Sequence, residues 1–314
     1  MANASLLTGG RYGSPKLDLG GCVLYAPLWR PDMVARGGRI VNGSGICTGS
    51  PLHLAVGANT VDVTQAGTLT VYMPEGGTVA SGTMTVTGSP VTVSAGIATT
   101  ITTTGATGNI TVTSSNIIRS KDKSNLAMTV TGATWGYQGR SFDGNDDYIA
   151  ITDPNSVLNF TSSDFSIWAW VKCTDTTPFH WNMVLGRGLL DADGYYFGIS
   201  SSDCLQFTTS QAAASQNSFS ATGAWFSAYG SKWVFIGVNR AGASARVFTD
   251  NVDITNTAAS HINPLTSAKT ARIGIFDDFT LDYEGFIGEV FVFSRTLSVS
   301  ERTNLMLTTQ WRYK

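Results

Sequence analysis

The centre of the chain carries a polar segment, Gly139-Arg140-Ser141-Phe142-Asp143-Gly144-Asn145-Asp146-Asp147-Tyr148-Ile149. An apolar segment near the end, Gly285-Phe286-Ile287-Gly288-Glu289-Val290-Phe291-Val292-Phe293, continues to Ser298 and Glu301. These last two residues have the spacing of a capping box, in which a serine and a glutamate satisfy free amides at the start of a helix. The sequence therefore predicts a short helix that begins after Ser298 and ends near Met306.

Strands are predicted between these two segments. Residues 164–172 are apolar on both faces, as in a strand at the centre of a β-sandwich. Further strands are predicted at 195–199, 205–207, 232–238, 245–248 and 271–275. Helix is thus a minor component, and the sequence favours an all-β fold.

The segments 139–149 and 285–301, with the apolar strand that runs from Gly20 into Trp29, resemble laminin-G-like domains. The resemblance covers residues 20–33 and 118–314. It implies a concanavalin A-like β-sandwich jelly roll, a fold that presents loops to a ligand and in most of its versions binds without catalysing a reaction. Because one fold can host many functions, the function depends on the side chains of the site.

Residues 34–117 differ in composition from the rest of the chain. No charged residue occurs from Gly76 to Ile118, and no aromatic residue occurs from Met73 to Thr134. Apolar and polar residues alternate in short runs, which predicts half-buried strands at 60–64, 68–72, 83–87, 99–102 and 109–113. Turns separate these runs at intervals of about ten residues, as in a small sandwich of immunoglobulin-like size. A disordered Thr/Ser-rich stalk is the alternative, but the region lacks the prolines of such stalks.

These boundaries predict three parts. An N-terminal arm spans residues 1–19, and a discontinuous laminin-G-like jelly roll spans 20–33 and 118–314. A small Thr/Val-rich β-sandwich, residues 34–117, is inserted into a loop of the jelly roll. Such an insertion costs little when the ends of the loop lie close together.

The chain has few charges. Charged residues make up 13% of the sequence, and the formal net charge is -2 with an isoelectric point near 5.9. No run of Lys or Arg offers an electrostatic footprint for nucleic acid or an anionic membrane, so we expect neither partner. The first residues lack the basic and apolar regions of a secretory signal, and no apolar run approaches the roughly 20 residues of a membrane span. We therefore expect a protein that stays in the cell that makes it or leaves by lysis or another route.

The four cysteines, Cys22, Cys47, Cys173 and Cys204, are far apart and have no C-x-x-C spacing. Their spacing argues against a zinc ribbon or a redox motif. Buried free thiols are one interpretation. A disulfide between Cys173 and Cys204 across neighbouring strands is the other.

The sequence offers little support for catalysis. The glutamates and histidines are Glu75, Glu284, Glu289, Glu301, His53, His180 and His261. No glutamate belongs to the Glu-x-Asp-x-x-Glu pattern that would place carboxylates around a glycosidic bond. The histidines lack the spacing of a zinc site, and neither a nucleophile elbow nor a phosphate-binding loop occurs. We therefore expect a protein without enzymatic activity.

Calcium is the cofactor that the resemblance implies, because related domains bind Ca²⁺ in rim loops through carboxylates and backbone carbonyls. Ca²⁺ takes about 6–8 oxygen ligands, which clustered Asp and Asn residues can supply. The predicted ligands are Asp191, Asp193, Asp277 and Asp278. The acidic cluster at 143–147 is a further candidate, although the resemblance implies a structural turn there.

Carbohydrate binding would need aromatic rings that stack on sugars and polar groups that bind hydroxyls. The candidate ligand contacts, all in predicted loops, are Phe179, His180, Trp181, Asn182, Trp225 and Tyr229. The same aromatic residues could instead cap the edge of the sandwich or form a contact between subunits.

The combination of a Thr/Val-rich module with a laminin-G-like domain resembles surface proteins of tailed bacteriophages. This resemblance implies a structural protein of the virion surface, a capsid decoration or head-fibre protein, whose arm docks on the major capsid protein and whose β-modules form a homo-oligomer. The alternative is a carbohydrate-binding adhesin that binds glycan with the help of Ca²⁺. Such an adhesin would be either a phage receptor-binding protein or an extracellular cell-surface lectin.

Overall fold

The computed structural model describes residues 17–42, 52–174, 181–276 and 281–314. These residues form two compact units. The first contains the described residues up to Arg30 together with Ser120–Leu126 and Gly132–Lys314, and the second contains those of Pro31–Arg119 and Ala127–Thr131. Residues 1–16 of the predicted arm lie outside the described residues.

Strands dominate both units, which confirms the predicted all-β class. In chain order, the strands are β1 (Cys22–Pro27), β2 (Gly38–Asn42), β3 (Leu52–Leu54), β4 (Gly57–Val63), β5 (Gly67–Tyr72), β6 (Gly77–Ser81), β7 (Thr85–Val86), β8 (Val91–Val93), β9 (Thr99–Thr104), β10 (Gly108–Ser114), β11 (Ile117–Arg119), β12 (Ala127–Thr131), β13 (Thr134–Gly136), β14 (Gly139–Asp143), β15 (Tyr148–Thr152), β16 (Phe165–Cys173), β17 (Asn182–Leu189), β18 (Asp193–Ser200), β19 (Cys204–Gln211), β20 (Ala214–Phe219), β21 (Val234–Ala241), β22 (Ser244–Thr249), β23 (Val252–Asp253), β24 (Thr257–Ala258), β25 (Ala271–Ile273) and β26 (Glu284–Phe293). The helices are α1 (Trp225–Tyr229) and α2 (Val299–Thr309), with 3-10 turns at Pro31–Met33 and Gln310–Arg312.

The first sheet of the first unit has the antiparallel order β13-β14-β26-β16-β21-β22-β23. Strand β26 is ten residues long, so one of its edges pairs with both β14 and β1 while the other pairs with β16. Side chains of β16 alternate between two buried faces: Phe165 and Ile167 point inward, whereas Trp168 and Trp170 point outward. The predicted strand that is apolar on both faces is thereby confirmed.

Helix α2 and the C-terminal residues cover the outward face of the first sheet, called here the covered face. Trp170 stacks on Tyr313 at a centroid distance of 4.7 Å and donates from Nε1 to Thr309 Oγ1 at 2.7 Å. The buried cluster beneath the helix consists of Cys22, Tyr25, Trp168, Trp170, Phe235, Phe248, Phe291, Phe293, Leu297, Leu305 and Tyr313. Both faces of this sheet are therefore shielded from water.

Helix α2 begins with the predicted capping box. The Ser298 side chain accepts a hydrogen bond from the Glu301 amide, and the Glu301 carboxylate accepts one from the Ser298 amide at 2.8 Å. The helix ends at Thr309 instead of near Met306. Among the described residues, no helix combines the length and the apolar character needed to cross a membrane.

The second sheet of the first unit includes the antiparallel order β15-β25-β17-β18-β19-β20-β24. Its inward aromatic side chains meet those of the first sheet. Phe165 of β16 lies 5.1 Å from Tyr195 of β18 and 5.8 Å, edge to face, from Phe207 of β19, between ring centroids. The first unit is therefore a β-sandwich with one aromatic-rich core.

The second unit consists mainly of two smaller sheets, β4-β10-β6-β8 and β3-β2-β5-β9-β7. Apolar residues alternate inward, as Ile110 and Val112 do on β10, and the buried cluster contains only aliphatic residues and methionine. The predicted period-two runs correspond to β4, β5, β7, β9 and β10, although β7 is shorter than its predicted run. Strands β11 and β12 pair antiparallel.

Three of the cysteines are buried free thiols, namely Cys22, Cys173 and Cys204. The alternative disulfide between Cys173 and Cys204 is therefore absent, and the Cys173 thiol instead lies 3.3 Å from the Tyr283 hydroxyl. Burial, reinforced by the charge of Asp122, raises the pKa of Cys22 to about 12. Cys47 lies outside the described residues.

Candidate functional site

The outward face of the second sheet carries polar side chains from three neighbouring strands. Because successive residues of a strand point to opposite faces, the inward direction of Tyr195 and Phe207 places Tyr196 of β18 and Gln206 and Thr208 of β19 on the outward face. Asn217 of β20 pairs directly with Thr208 and shares that face. We call Tyr196, Gln206, Thr208 and Asn217 the polar face.

Hydrogen bonds connect the side chains of the polar face. Gln206 Nε2 donates to Thr208 Oγ1 at 3.1 Å, and the Thr208 hydroxyl donates to Asn217 Oδ1 at 2.7 Å. Burial raises the pKa of Tyr196, and hydrogen bonds from Thr208 and Gln206 oppose this rise. Thr208 and Gln206 are buried, whereas Asn217 is half-buried. The side-chain nitrogen of Asn217, Nδ2, has no hydrogen-bond partner within the described part of the chain.

An aromatic cluster borders the polar face. Trp181, which is half-buried, meets Tyr196 edge to face at a centroid distance of 5.9 Å, and Tyr196 meets Phe276 at 5.0 Å. Gly186 on β17 leaves room for this packing, since a Cβ there would lie 2.8 Å from the Phe276 ring. The indole of Trp181 is thus fixed at the edge of the polar face with part of its surface open.

Among the predicted ligand contacts, Trp181 is the residue that the structure brings to the polar face. Phe179 and His180 lie outside the described residues. Asn182 is buried, and its Oδ1 accepts a hydrogen bond from the Glu284 amide at 2.8 Å, so it connects β17 to β26.

The predicted ligand contacts Trp225 and Tyr229 do not belong to the polar face. The predicted loop around Trp225 forms helix α1, and Trp225 is only 2% exposed. Its ring packs on Tyr229 at a centroid distance of 5.6 Å, and Tyr229 is half-buried. Trp225 therefore offers almost no open surface to a ligand.

The predicted calcium ligands fall in two loops. Asp277 and Asp278 lie outside the described residues. Asp191 is exposed and in the left-handed region, and its amide donates to Ser215 Oγ, while Asp193 Oδ1 accepts from the Leu189 amide. These bonds support the turn between β17 and β18, and the calcium site stays a prediction.

Three other carboxylates lie close together. The ligand atoms of Asp143, Asp146 and Asp147 are within 4.8 Å of one another, near enough to share one cation. However, Asp147 Oδ2 accepts from the Asp143 amide and Asp143 Oδ1 accepts from the Asn145 amide, so the cluster also stabilises its own turn. Burial and the neighbouring charge of Asp143 raise the pKa of Asp147.

The polar face has the chemistry of a binding surface for hydroxyl groups. Its amides and hydroxyls can donate and accept hydrogen bonds, and Trp181 supplies an apolar ring at the border. Its four side chains include no carboxylate, imidazole or thiol, the groups that most often act as general acid, general base or strong nucleophile at neutral pH.

Sequence reasoning missed the polar face itself. The alternation in 204–211 does place Gln206 and Thr208 on one side of a strand. The pairing of Thr208 with Asn217, however, depends on the register between β19 and β20, which the sequence does not reveal. The signal that could have found the site is the series of amide and hydroxyl residues at alternate positions of one strand, Gln206, Thr208 and Ser210.

Comparisons with known proteins agree with this architecture. The profile of the Laminin_G_3 family, described as the concanavalin A-like lectin/glucanases superfamily, matches residues 143–301. This match confirms the predicted concanavalin A-like jelly roll. No curated protein sequence matches the chain.

Solved structures with a similar fold include clostridial toxin domains. The binding domain of botulinum neurotoxin DC in complex with SialylT gives a TM-score of 0.50 at 16% identity, with 62% of this chain and 49% of that chain covered. The receptor binding domain of botulinum neurotoxin D gives 0.49 at 12% identity, covering 62% and 50%. The binding domain of Paraclostridial Mosquitocidal Protein 1 gives 0.47 at 15% identity, covering 62% and 49%. The chain thus spans about half the length of these structures, and the likeness concerns the fold.

Proposed function

The chain belongs to the concanavalin A-like lectin/glucanase superfamily, and we propose that it is a non-enzymatic protein that binds carbohydrate through the polar face of its second sheet. The observation that carries this proposal is the position of the half-buried Trp181 ring beside the hydrogen-bonded side chains of that face. A sugar has an apolar C–H face and a rim of hydroxyls, so an aromatic ring next to amides and hydroxyls matches both.

The hydrogen bonds within the polar face favour binding because they fix the side chains in advance. Thr208 lies between Gln206 and Asn217 and engages both. Ordering a free side chain on binding costs about 0.5–1.5 kcal/mol, and this cost is reduced when the side chain is already fixed. The Asn217 amide nitrogen and the open part of the Trp181 ring are the groups that a ligand would reach.

The same side chains support a binding role over hydrolysis. A glycosidase needs two carboxyl groups about 5–9.5 Å apart around the scissile bond. Tyr196, Gln206, Thr208 and Asn217 provide none. We therefore expect bound glycan to be recovered intact after prolonged incubation with the protein.

Two substitutions test the polar face. The wild-type protein is first screened on a glycan array, and the dissociation constant of the best glycan is then measured by titration calorimetry. Trp181→Ala removes the stacking ring and should weaken binding about 10-fold. Asn217→Ala removes one hydrogen-bonding partner and should weaken it about 5-fold.

Matched variants separate recognition from general damage. Trp181→Phe keeps a ring and should retain most of the affinity, and Asn155→Ala, at an exposed amide in another turn, should leave it unchanged. An array without a bound glycan, or equal affinity in wild type and both test variants, would refute the proposed function.

For the biological setting we propose the surface of a tailed-bacteriophage virion, as a capsid decoration or head-fibre protein. The second unit supports this proposal, because its Thr-rich strands and separate aliphatic core suit an immunoglobulin-like module inserted into a jelly roll. The alternative is a phage tail adhesin or a cell-surface lectin. Quantitative mass spectrometry of purified particles distinguishes them: hundreds of copies per particle favour decoration, a handful favours a tail adhesin, and absence favours a cellular lectin.

A further inference from the structure

Three aromatic side chains are exposed among the described residues: Trp135, Tyr137 and Trp311, at 39%, 83% and 64%. Two of them, Tyr137 and Trp311, belong to adjoining segments. Tyr137 lies in the turn between β13 and β14, and the next residue, Gln138, donates from Nε2 to the carbonyl oxygen of Arg312 at 2.6 Å. Exposed aromatic rings on adjoining segments, in contrast to rings scattered singly over a surface, indicate a contact site.

Trp311 meets Trp29 edge to face at a centroid distance of 6.4 Å, and Arg312 contacts both rings. The Arg312 guanidinium lies 3.7 Å from the centroid of Trp29 and 4.4 Å from that of Trp311. Since Arg312 covers one side of the Trp311 ring, much of the 64% exposed surface of Trp311 belongs to its remaining side and edge. We call Trp29, Tyr137, Trp311 and Arg312 the aromatic platform.

A buried carboxylate anchors this platform from below. Glu289 on β26 is fully buried, and its Oε1 lies 2.8 Å from Arg312 Nη1. The same oxygen accepts hydrogen bonds from Trp29 Nε1 at 2.6 Å and from the Tyr25 hydroxyl at 3.3 Å. The guanidinium and the Trp29 indole are therefore attached to the sheet, and the platform needs little ordering when a ligand binds.

The charged groups of the platform already have partners within the protein, which favours a neutral ligand over an anionic one. Arg312 is paired with Glu289, and the ammonium of the nearby Lys314 is paired with Asp250 at 2.9 Å. The Gln138 amide is also engaged at both ends, with Arg312 and with Trp233 Nε1. Open aromatic surface, more than free charge or hydrogen-bonding groups, is what this platform presents.

We propose that the aromatic platform is a second carbohydrate-binding surface, separate from the polar face, that takes neutral polysaccharide by stacking pyranose rings on Trp311 and Tyr137. The apolar C–H face of a neutral pyranose suits an open ring without competing charge. A polysaccharide offers many such faces in series, so weak stacking at each ring is multiplied along the chain. The polar face, on the second sheet, would bind the hydroxyl groups of a sugar. The platform, at the edge of the first sheet, would instead contact the apolar faces of sugar rings.

Affinity electrophoresis tests this proposal with the full chain. Native gels contain a neutral polysaccharide (laminarin, mannan or hydroxyethylcellulose) or an anionic one (polygalacturonate). Wild type should be retarded by at least one neutral polysaccharide and not by polygalacturonate at physiological salt. Trp311→Ala should lose at least about 10-fold in apparent affinity and Tyr137→Ala about 3-fold, as expected for removal of a stacked ring.

Controls separate the platform from the polar face and from misfolding. Val252→Ala truncates an exposed apolar residue on β23, at the opposite edge of the first sheet, and should behave like wild type. Trp181→Ala should remain retarded, because it lies in the other site. Near-ultraviolet circular dichroism checks that each variant is folded, which is expected since Trp311 and Tyr137 are exposed.

Defined outcomes would overturn the inference. They are retardation by none of the three neutral polysaccharides, preference for polygalacturonate, or retardation that disappears in Trp181→Ala but survives in Trp311→Ala. Sedimentation velocity covers one more case. If Trp311→Ala converts an oligomer to a monomer without changing retardation, the platform is a contact between copies of the chain and not a carbohydrate site.

Discussion

The two sheets of the first unit share one core but differ on their outward faces. On the covered face, Trp168 and Trp170 lie beneath α2 and the C-terminal residues. On the polar face, Gln206, Thr208 and Asn217 bond to one another, and no described helix shields them as α2 shields the tryptophans. Large aromatic side chains on an outward face require a cover, because leaving each exposed would forfeit about 1.5–3 kcal/mol of burial. At the polar face, Thr208 and Gln206 are buried, but Asn217 and the bordering Trp181 are half-buried, so these two side chains remain open to a ligand.

Truncation of a tryptophan on each face should give the largest contrast. Trp170→Ala on the covered face removes a fully buried ring, its stack on Tyr313 and its hydrogen bond to Thr309. We expect the free energy of unfolding to fall by about 3–5 kcal/mol, measured by urea denaturation. Trp181→Ala at the edge of the polar face should cost about 1 kcal/mol, since the ring is only half-buried.

Equal losses in these two variants would break the comparison. They would mean that the polar face is as fully covered as the other face and that Trp181 is a core residue. A large loss of unfolding free energy in Trp170→Ala alone would show that packing on the covered face stabilises the fold and that the polar face contributes little to stability.

Much of this contrast was readable in the sequence. The capping box at Ser298 and Glu301 depends on local chemistry and was predicted correctly. The strand at 164–172 was predicted to be buried on both faces, but the sequence could not say that a helix from the far end of the chain covers one of them. The sequence also did not show which of two adjacent tyrosines faces the core. In the structure, Tyr195 points into the core and Tyr196 points outward.

The candidate sites were harder to predict, because exposure depends on long-range packing. Trp181 and Trp225 look alike in the sequence, each in a short polar and aromatic stretch. One borders the polar face, whereas the other is buried by the short helix that forms around it. The segments that carry Tyr137 and Trp311 are connected by the bond from Gln138 to Arg312, a pairing of positions far apart in the chain.

Glu289, on the first sheet, should make stability fall as pH rises. Burial raises its pKa to about 7, although Arg312, Trp29 and Tyr25 oppose the rise. The folded state therefore binds the proton more tightly than the unfolded state, and this contribution is complete below about pH 4.5 and lost as pH approaches 7. It amounts to about 3 kcal/mol at most. Glu289→Gln should remove this dependence in urea denaturation measured from pH 4.5 to 7.5.

His261, beside the second sheet, should act in the opposite direction. Its ring nitrogens lie 2.8 Å from Thr209 Oγ1 and from Ser218 Oγ, and burial, with the charge of Arg240, lowers its pKa to about 4. The folded state therefore resists protonation, so this contribution is present above about pH 6.5 and lost as pH falls towards 4, again by about 3 kcal/mol at most.

Between pH 4.5 and 6.5 the two groups oppose each other, so wild-type stability should change little. Glu289→Gln should then show stability that rises with pH, and His261→Gln should show stability that falls with pH. Two variants with the same slope would contradict the opposed arrangement.

The smallest effect concerns how the cover is stabilised. Ser298→Ala removes the side chain that accepts the Glu301 amide at the start of α2, and should lower the free energy of unfolding by about 1 kcal/mol. Leu307→Ala, at a half-exposed position of the same helix, is the control and should change stability by less than about 0.5 kcal/mol. If the packing of Trp170 and Tyr313 is what fixes the helix on the sheet, the cap adds only a small amount to the free energy of unfolding. A loss in Ser298→Ala as large as in Trp170→Ala would show instead that helix formation itself limits the cover.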